Sequence, residues 1–175
     1  VQQVEAMRDM VNEFSEYARA PELTLSSFDL NQLIRELAYM YPSQDAQPAL
    51  HLVLDEQLGP VCADPGRIRQ LLHNLIRNAL EATEGQADAR IDVHTTRISD
   101  EGRDVAEITV TDNGPGIGAD TLPQVFEPYV TTKKKGTGLG LAIVKRLTEE
   151  HGGTVMAENR PGGGARITVR LPRMV

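Results

Sequence analysis

The chain has 175 residues, 40% of them apolar and 25% charged, which suits one packed domain with an appendage. Eighteen Lys and Arg against 25 Asp and Glu leave a formal net charge of -7; with the basic residues scattered, apart from Lys133, Lys134 and Lys135, no electrostatic footprint for nucleic acid is present. A single cysteine, Cys62, excludes an internal disulfide framework and a Cys-based zinc site, and no apolar run approaches the roughly 20 residues of a membrane span.

Residues 1–19 predict a helix. Val4, Met7, Val11, Phe14 and Ala18 step by three and four, the spacing of a narrow apolar seam, and the flanks are polar. A seam this narrow predicts half of a helical hairpin rather than a helix packed on the body. Pro21 stops it. The N-terminus lacks the basic and apolar blocks of a signal peptide and begins without methionine in mid-pattern. It reads as part of a longer chain, with any membrane anchor upstream and this part in a reducing cytosol.

The globular body is expected over residues 23–175. Asp29 is placed to cap a helix running to about Met40, with Leu30, Leu33, Ile34, Leu37 and Ala38 inward. Residues 51–54 alternate like a strand. Asp64 and Pro65 occupy the cap and first-turn positions of a second helix carrying Ile68, Leu71, Leu72, Leu75, Ile76, Ala79 and Leu80 to about Thr83. Residues 90–98 and 105–112 predict a hairpin about a polar turn at residues 99–103. Residues 113–137, rich in Gly, Pro, Thr and Lys, predict a long irregular segment. Residues 139–151 predict a third helix closed by Gly152 and Gly153, and two last strands flank Gly162, Gly163 and Gly164. Antiparallel hairpins mixed with helices exclude a doubly wound parallel fold. They predict an α/β (α+β) two-layer sandwich with a mixed, largely antiparallel sheet covered on one face by three helices.

Two features carry chemistry. The long loop opens with Asp112-Asn113-Gly114-Pro115-Gly116-Ile117 at a strand end and closes with Gly136-Thr137-Gly138-Leu139-Gly140-Leu141 at a helix start. Glycines there let backbone N–H groups approach a ligand, and a helix N-terminus favours an anion. Thr131, Thr132 and the three lysines add hydroxyls and positive charge. The pattern lacks the Gly-Lys-Ser/Thr ending of a Walker A loop and does not directly follow a strand as a dinucleotide fingerprint would. The second feature is Asn74-Leu75-Ile76-Arg77-Asn78, two asparagines on one helix face whose amide oxygens suit a hard cation such as Mg2+.

Together these motifs resemble the histidine-kinase branch of the family that also holds the gyrase, Hsp90 and MutL ATPases. Residues 74–82 resemble its N box, residues 112–116 its first glycine box and Phe126-Glu127-Pro128-Tyr129 its F box. Residues 136–140 and 162–164 resemble its later glycine boxes, in matching order over residues 29–172. Residues 11–19 and 129–133 are similar to the nitrogen-regulation sensor kinases of the NtrY type. The resemblance implies the Bergerat ATP-binding fold, preceded over residues 1–20 by the second helix of a dimerisation and phosphotransfer hairpin.

It also implies roles. Asp112 accepts from the adenine amino group, and Gly114 and Gly116 turn the chain beside the base. Asn78 ligates Mg2+, and Asn74 helps hold the metal and phosphates. The backbone of Gly136, Thr137, Gly138, Leu139, Gly140 and Leu141 binds the phosphate tail of ATP. Thr132 and Lys133, or a neighbouring lysine, meet the terminal phosphates, and Phe126 anchors the lid by packing. Hydrolysing members carry glutamate where Asn74 stands. An amide is no general base, so phosphoryl transfer to a protein acceptor is expected rather than ATP hydrolysis. Two positions depart from the pattern: Glu81 stands where a basic residue is common, with Arg77 or the lid lysines as substitutes, and Ala165 replaces a threonine for which Thr168 is the stand-in. None of His51, His73, His94 or His151 sits in an acceptor context, so each is expected to be structural and the acceptor to lie upstream. The implied partners are that hairpin, an NtrX-like response regulator and a second copy in a full-length, inner-membrane homodimer. The alternatives are a hydrolysing ATPase of the same superfamily, a serine kinase of the anti-sigma type and a non-catalytic nucleotide-sensing module.

Overall fold

The computed structural model describes residues 22–41, 50–131 and 137–174, together with Val4, Met7, Arg8, Val11, Asn12, Phe14 and Ser15 of a helical N-terminal stretch. Three helices, α1 (Leu30–Ala38), α2 (Pro65–Ala82) and α3 (Gly140–Glu150), cover one face of a five-stranded sheet. Its strands are β2 (Leu50–Leu54), β4 (Ile91–Asp100), β5 (Arg103–Asp112), β7 (Ala165–Pro172) and β6 (Thr154–Asn159), in that spatial order. β2 runs parallel to β4 and the other neighbours are antiparallel, so the sheet is mixed as expected. Two three-residue strands, β1 (Ser26–Phe28) and β3 (Val61–Ala63), form a separate antiparallel ribbon that the sequence pattern did not reveal.

The helices begin where their caps dictate. The Asp29 carboxylate accepts from Gln32 N–H at 3.0 Å, and Asp64 Oδ1 accepts from Gly66 and Arg67 N–H at 3.0 and 3.1 Å ahead of Pro65. α2 buries Ile68, Leu71, Leu72, Leu75, Ile76 and Ala79 against Ile91, Val93, Ile108, Val110, Ile167 and Val169 of the sheet. Each large aliphatic side chain there stabilises the fold by about 1.5–3 kcal/mol relative to exposure. The buried Asn31 on α1 is satisfied within this layer: Nδ2 donates to Asp55 O at 2.8 Å and Oδ1 accepts from Thr95 Oγ1 at 2.8 Å.

The β4–β5 hairpin is tighter than the expected five-residue turn. Both strands extend until only Glu101 and Gly102 remain, with φ of 49° and 79°. Positive φ at both positions is the two-residue turn whose twist matches the flanking strands. The irregular segment carries one 3-10 turn at Leu122–Gln124. His151 is structural, as expected. It joins the end of α3 to the start of α2, with Nδ1–H donating to Leu147 O at 2.7 Å and Nε2 accepting from Asp64 N–H at 3.1 Å. In the N-terminal stretch Val4, Met7, Val11 and Phe14 are helical and 71%, 67%, 63% and 52% exposed, while Ala18 and Pro21 lie outside the described residues. No helix among the described residues is long and apolar enough to cross a membrane.

Candidate functional site

A cleft of two adjoining halves lies between α2, the start of α3 and the irregular segment. One half is lined by Asp112, Gly116, Ile117, Thr121 and Ala165, the other by Asn74, Arg77, Glu81, Gly138 and Gly140. Asn78, Val125, Val130, Thr131 and Leu141 line both halves, so the two adjoin along these residues.

In the first half, Asp112 ends β5 and is only 4% exposed. Its Oδ1 accepts from Gly114 N–H at 2.8 Å and Ala165 N–H at 3.3 Å. These two bonds fix the carboxylate plane. Oδ2 has no hydrogen-bond partner among the described residues, which leaves an acceptor on the wall of the cleft. Two glycines make this geometry possible. A Cβ at Gly114 would lie 2.7 Å from Ala82 O, and one at Gly164, where φ is +87°, would lie 2.0 Å from Asp112 O. Asn113 does not face the cleft: its Oδ1 accepts from Arg90 N–H at 2.7 Å and its Nδ2 donates to Asp88 O at 2.8 Å, tying the chain after α2 to β5.

In the second half, Asn74 and Asn78 project from one face of α2. Asn74 Nδ2 donates to Gln70 O at 3.1 Å, which fixes the amide flip and leaves Oδ1 towards Gly140, whose Cβ would lie 3.6 Å away. α3 starts here with Leu139 as its N-cap residue and no side-chain cap. The N–H groups of Gly140 and Leu141 have no carbonyl four residues back inside the helix, so they carry the partial positive charge of its N-terminus. Leu139 is buried in the core and its own N–H is held by Thr137 Oγ1 at 3.3 Å. Arg77 and Glu81 form an i,i+4 ion pair of 2.9 Å on the rim, so much of the Arg77 charge is balanced locally. Phe126 packs on the core, as expected of an anchor.

The chain meets itself at Tyr129 and Gly138. Tyr129 N–H donates to Gly138 O at 3.0 Å, Tyr129 has φ +66°, and Gly138 has φ +71°. A Cβ at Gly138 would lie 2.6 Å from the Tyr129 carbonyl carbon.

Of the residues singled out from sequence, Asp112, Gly116, Asn74, Asn78, Thr137, Gly138, Gly140 and Leu141 line the cleft, Gly114 holds Asp112 in place, and Leu139 lies beneath the cleft floor. Thr132, Lys133 and Gly136, with Lys134 and Lys135, lie outside the described residues. Thr168 is a correction. Side chains alternate along β7, and Ala165, Ile167 and Val169 face the helices; Thr168, paired with Thr109 and Met156, faces the opposite side of the sheet and lines neither half. Sequence reasoning missed Val125 and Val130, apolar walls inside a segment read as irregular, and Asn159, which touches the loop rather than the cleft.

Residues 63–174 match the histidine kinase-, DNA gyrase B- and HSP90-like ATPase family. The chain is 40% identical over 173 residues to the sensor histidine kinase ZraS of Escherichia coli O157:H7, covering 97% of this chain and 36% of that protein. It is 36% identical over 182 residues to the nitrogen regulation protein NtrY of Azorhizobium caulinodans, covering 98% of this chain and 22% of that one. The chain thus spans about a third or less of the length of these relatives. Its fold matches full-length ShkA, solved in complex with AMPPNP, with a TM-score of 0.78 and 31% identity over 98% of this chain and 36% of that one. It matches the histidine kinase ThkA, solved in complex with the response regulator TrrA, with a TM-score of 0.78 and 28% identity over 98% and 48%. A family match over most of the chain, relatives that are sensor histidine kinases, and a cleft built on the N-box and glycine-box residues lead to one conclusion: the chain belongs to the histidine kinase-, DNA gyrase B- and HSP90-like ATPase family, on its sensor-histidine-kinase branch.

Proposed function

We propose that residues 23–175 bind ATP and transfer its γ-phosphoryl group to a histidine on a hairpin of the parent kinase, for relay to a response-regulator aspartate. The observation that carries this reading is the polarity of the cleft. An acceptor-only carboxylate stands at one end, and paired amides with an uncapped helix N-terminus stand at the other. Asp112 Oδ2 accepts from the adenine amino group, and the Gly140 and Leu141 N–H groups receive phosphate oxygens.

Magnesium fits the donor set. The amide oxygens of Asn78 and Asn74 are hard ligands, and the described residues hold no cluster of three or more His, Cys, Asp or Glu. That matches an ion held by one or two side chains and shared with phosphates. When bound, Mg2+ neutralises charge on the β- and γ-phosphates. Asn74, whose Nδ2 is committed to Gln70 O, offers no base to activate water. The domain therefore orients and neutralises ATP, and the acceptor histidine supplies the nucleophile. The AMPPNP complex of ShkA and the TrrA complex of ThkA support the ligand and partner classes. Residues 1–20 contribute the second hairpin helix of a homodimeric, inner-membrane parent with this domain on its cytoplasmic side. The NtrY likeness points to an NtrX-like regulator, and the ZraS likeness, at 40% against 36% identity, to a regulator of the ZraS system.

The test is reconstitution. Mixed with a separate acceptor-bearing hairpin and Mg-ATP, the chain is expected to produce acid-labile phosphohistidine on the hairpin while releasing little inorganic phosphate alone. Steady phosphate release without the hairpin would instead favour a hydrolysing ATPase.

A further inference from the structure

The turn end of the β6–β7 hairpin grips the Asp112 loop from both sides. On one side Gly164 lies against the Asp112 backbone, Ala165 N–H donates to Asp112 Oδ1 at 3.3 Å, and the Arg160 guanidinium donates to Asp112 O at 3.3 Å. On the other side stands Asn159, the last residue of β6. Its Oδ1 accepts from Ile117 N–H at 2.7 Å and its Nδ2 donates to Ile117 O at 2.7 Å. One side chain thus occupies both hydrogen-bonding groups of a single backbone residue, as a neighbouring strand would. A Cβ at Gly116 would lie 2.8 Å from the same Oδ1, so the loop closes directly onto the amide. Gly116 and Ile117 line the cleft half that contains Asp112, and Asn159 lines neither half.

We propose that Asn159 is a positioning residue for base recognition: it sets the distance between the wall at Gly116 and Ile117 and the Asp112 carboxylate, and so governs affinity for the purine without touching the nucleotide. This inference rests on the ATP-binding reading above and deepens it. Only a carboxamide supplies one donor and one acceptor in the geometry that Ile117 requires. Aspartate keeps the acceptor and sets an oxygen against Ile117 O; serine reaches at most one of the two groups.

The test compares two ligands by calorimetry on the 175-residue chain, Mg-ATP and Mg-tripolyphosphate, which lacks the base. Asn159→Ala and Asn159→Asp are each expected to weaken Mg-ATP by about tenfold, the loss of one or two hydrogen bonds acting through the loop, with tripolyphosphate changed less than about twofold. Adenosine alone should follow ATP. Asn159→Asp is nearly isosteric and preserves packing, so it decides the matter if the alanine variant folds poorly. Equal weakening of both ligands would mean a merely structural role and overturn the proposal, as would unchanged ATP affinity in both variants. Failure of the unsubstituted chain to bind Mg-ATP would overturn the nucleotide reading itself, a result distinct from either.

Discussion

At the scale of single residues, two amides four positions apart do different work. Asn74 is committed through Nδ2 to the helix backbone, so only its oxygen reaches the cleft; Asn78 stands where the two halves of the cleft meet. On the proposed reading, replacing Asn78 by alanine removes an amide oxygen that would hold the metal at the centre of the site. Calorimetry should then record Mg-ATP affinity falling by about 100-fold with the fold intact, the upper end of what a residue supporting a metal site costs. An affinity within twofold of the parent, by contrast, takes Asn78 out of the metal site. Both asparagines were legible in the sequence because asparagine is a poor helix former amid strong apolar residues. Thr168 was misplaced for a physical reason. A short strand gives every other residue to each face, and sequence distance from a glycine turn does not say which face holds the ligand. Asn159 escaped notice because an asparagine before Arg-Pro-Gly reads as an ordinary turn residue. Its value lies in a contact 42 positions away.

At the scale of elements, the helices were legible and the small ribbon was not. Asp29 and Asp64-Pro65 announce helix starts through a mechanism that needs only local sequence, whereas three-residue strands such as β1 and β3 are too short for alternation to emerge. The parallel pairing of β2 with β4 follows from a long connection through α2 and carries no local signature. The α2 cap makes a prediction with a definite sign. Burial pushes the Asp64 carboxyl up, but the N–H groups of Thr24, Arg67 and Gly66 outweigh it and hold the carboxyl below the usual carboxylate range. A group lowered in the folded state stabilises above its unfolded value and loses that contribution as pH falls through the folded one. Asp64→Ala should cost about 1–2 kcal/mol in denaturant melts at neutral pH. The gap to the parent should narrow in acid, and a gap constant down to pH 2 contradicts the assignment. The Tyr129–Gly138 contact gives another prediction. Gly138→Ala meets both a positive φ and the Tyr129 backbone, so the ends should part, with Mg-ATP affinity falling by more than about tenfold, about 1.4 kcal/mol, and protease cutting near residue 130 faster. Unchanged cutting and affinity would mean the contact is idle.

At the scale of the whole molecule, Val4, Met7, Val11 and Phe14 of the N-terminal stretch stay exposed, and none of them belongs to the core of the body. Removing residues 1–20 should therefore leave the thermal midpoint of the remaining domain within about 2 °C, the range of a surface change. A drop of ten degrees would place that helix on the body instead. The body has a second kind of independence, and it comes from the bond between Tyr129 and Gly138. That bond closes the chain at the base of the eight positions between those residues. Joining the ends of a chain costs only about 0.6 kcal/mol more each time its length doubles. A few residues added between Thr131 and Thr137 should consequently leave the thermal midpoint of the domain unchanged, because the strands and helices on either side are already joined at that bond.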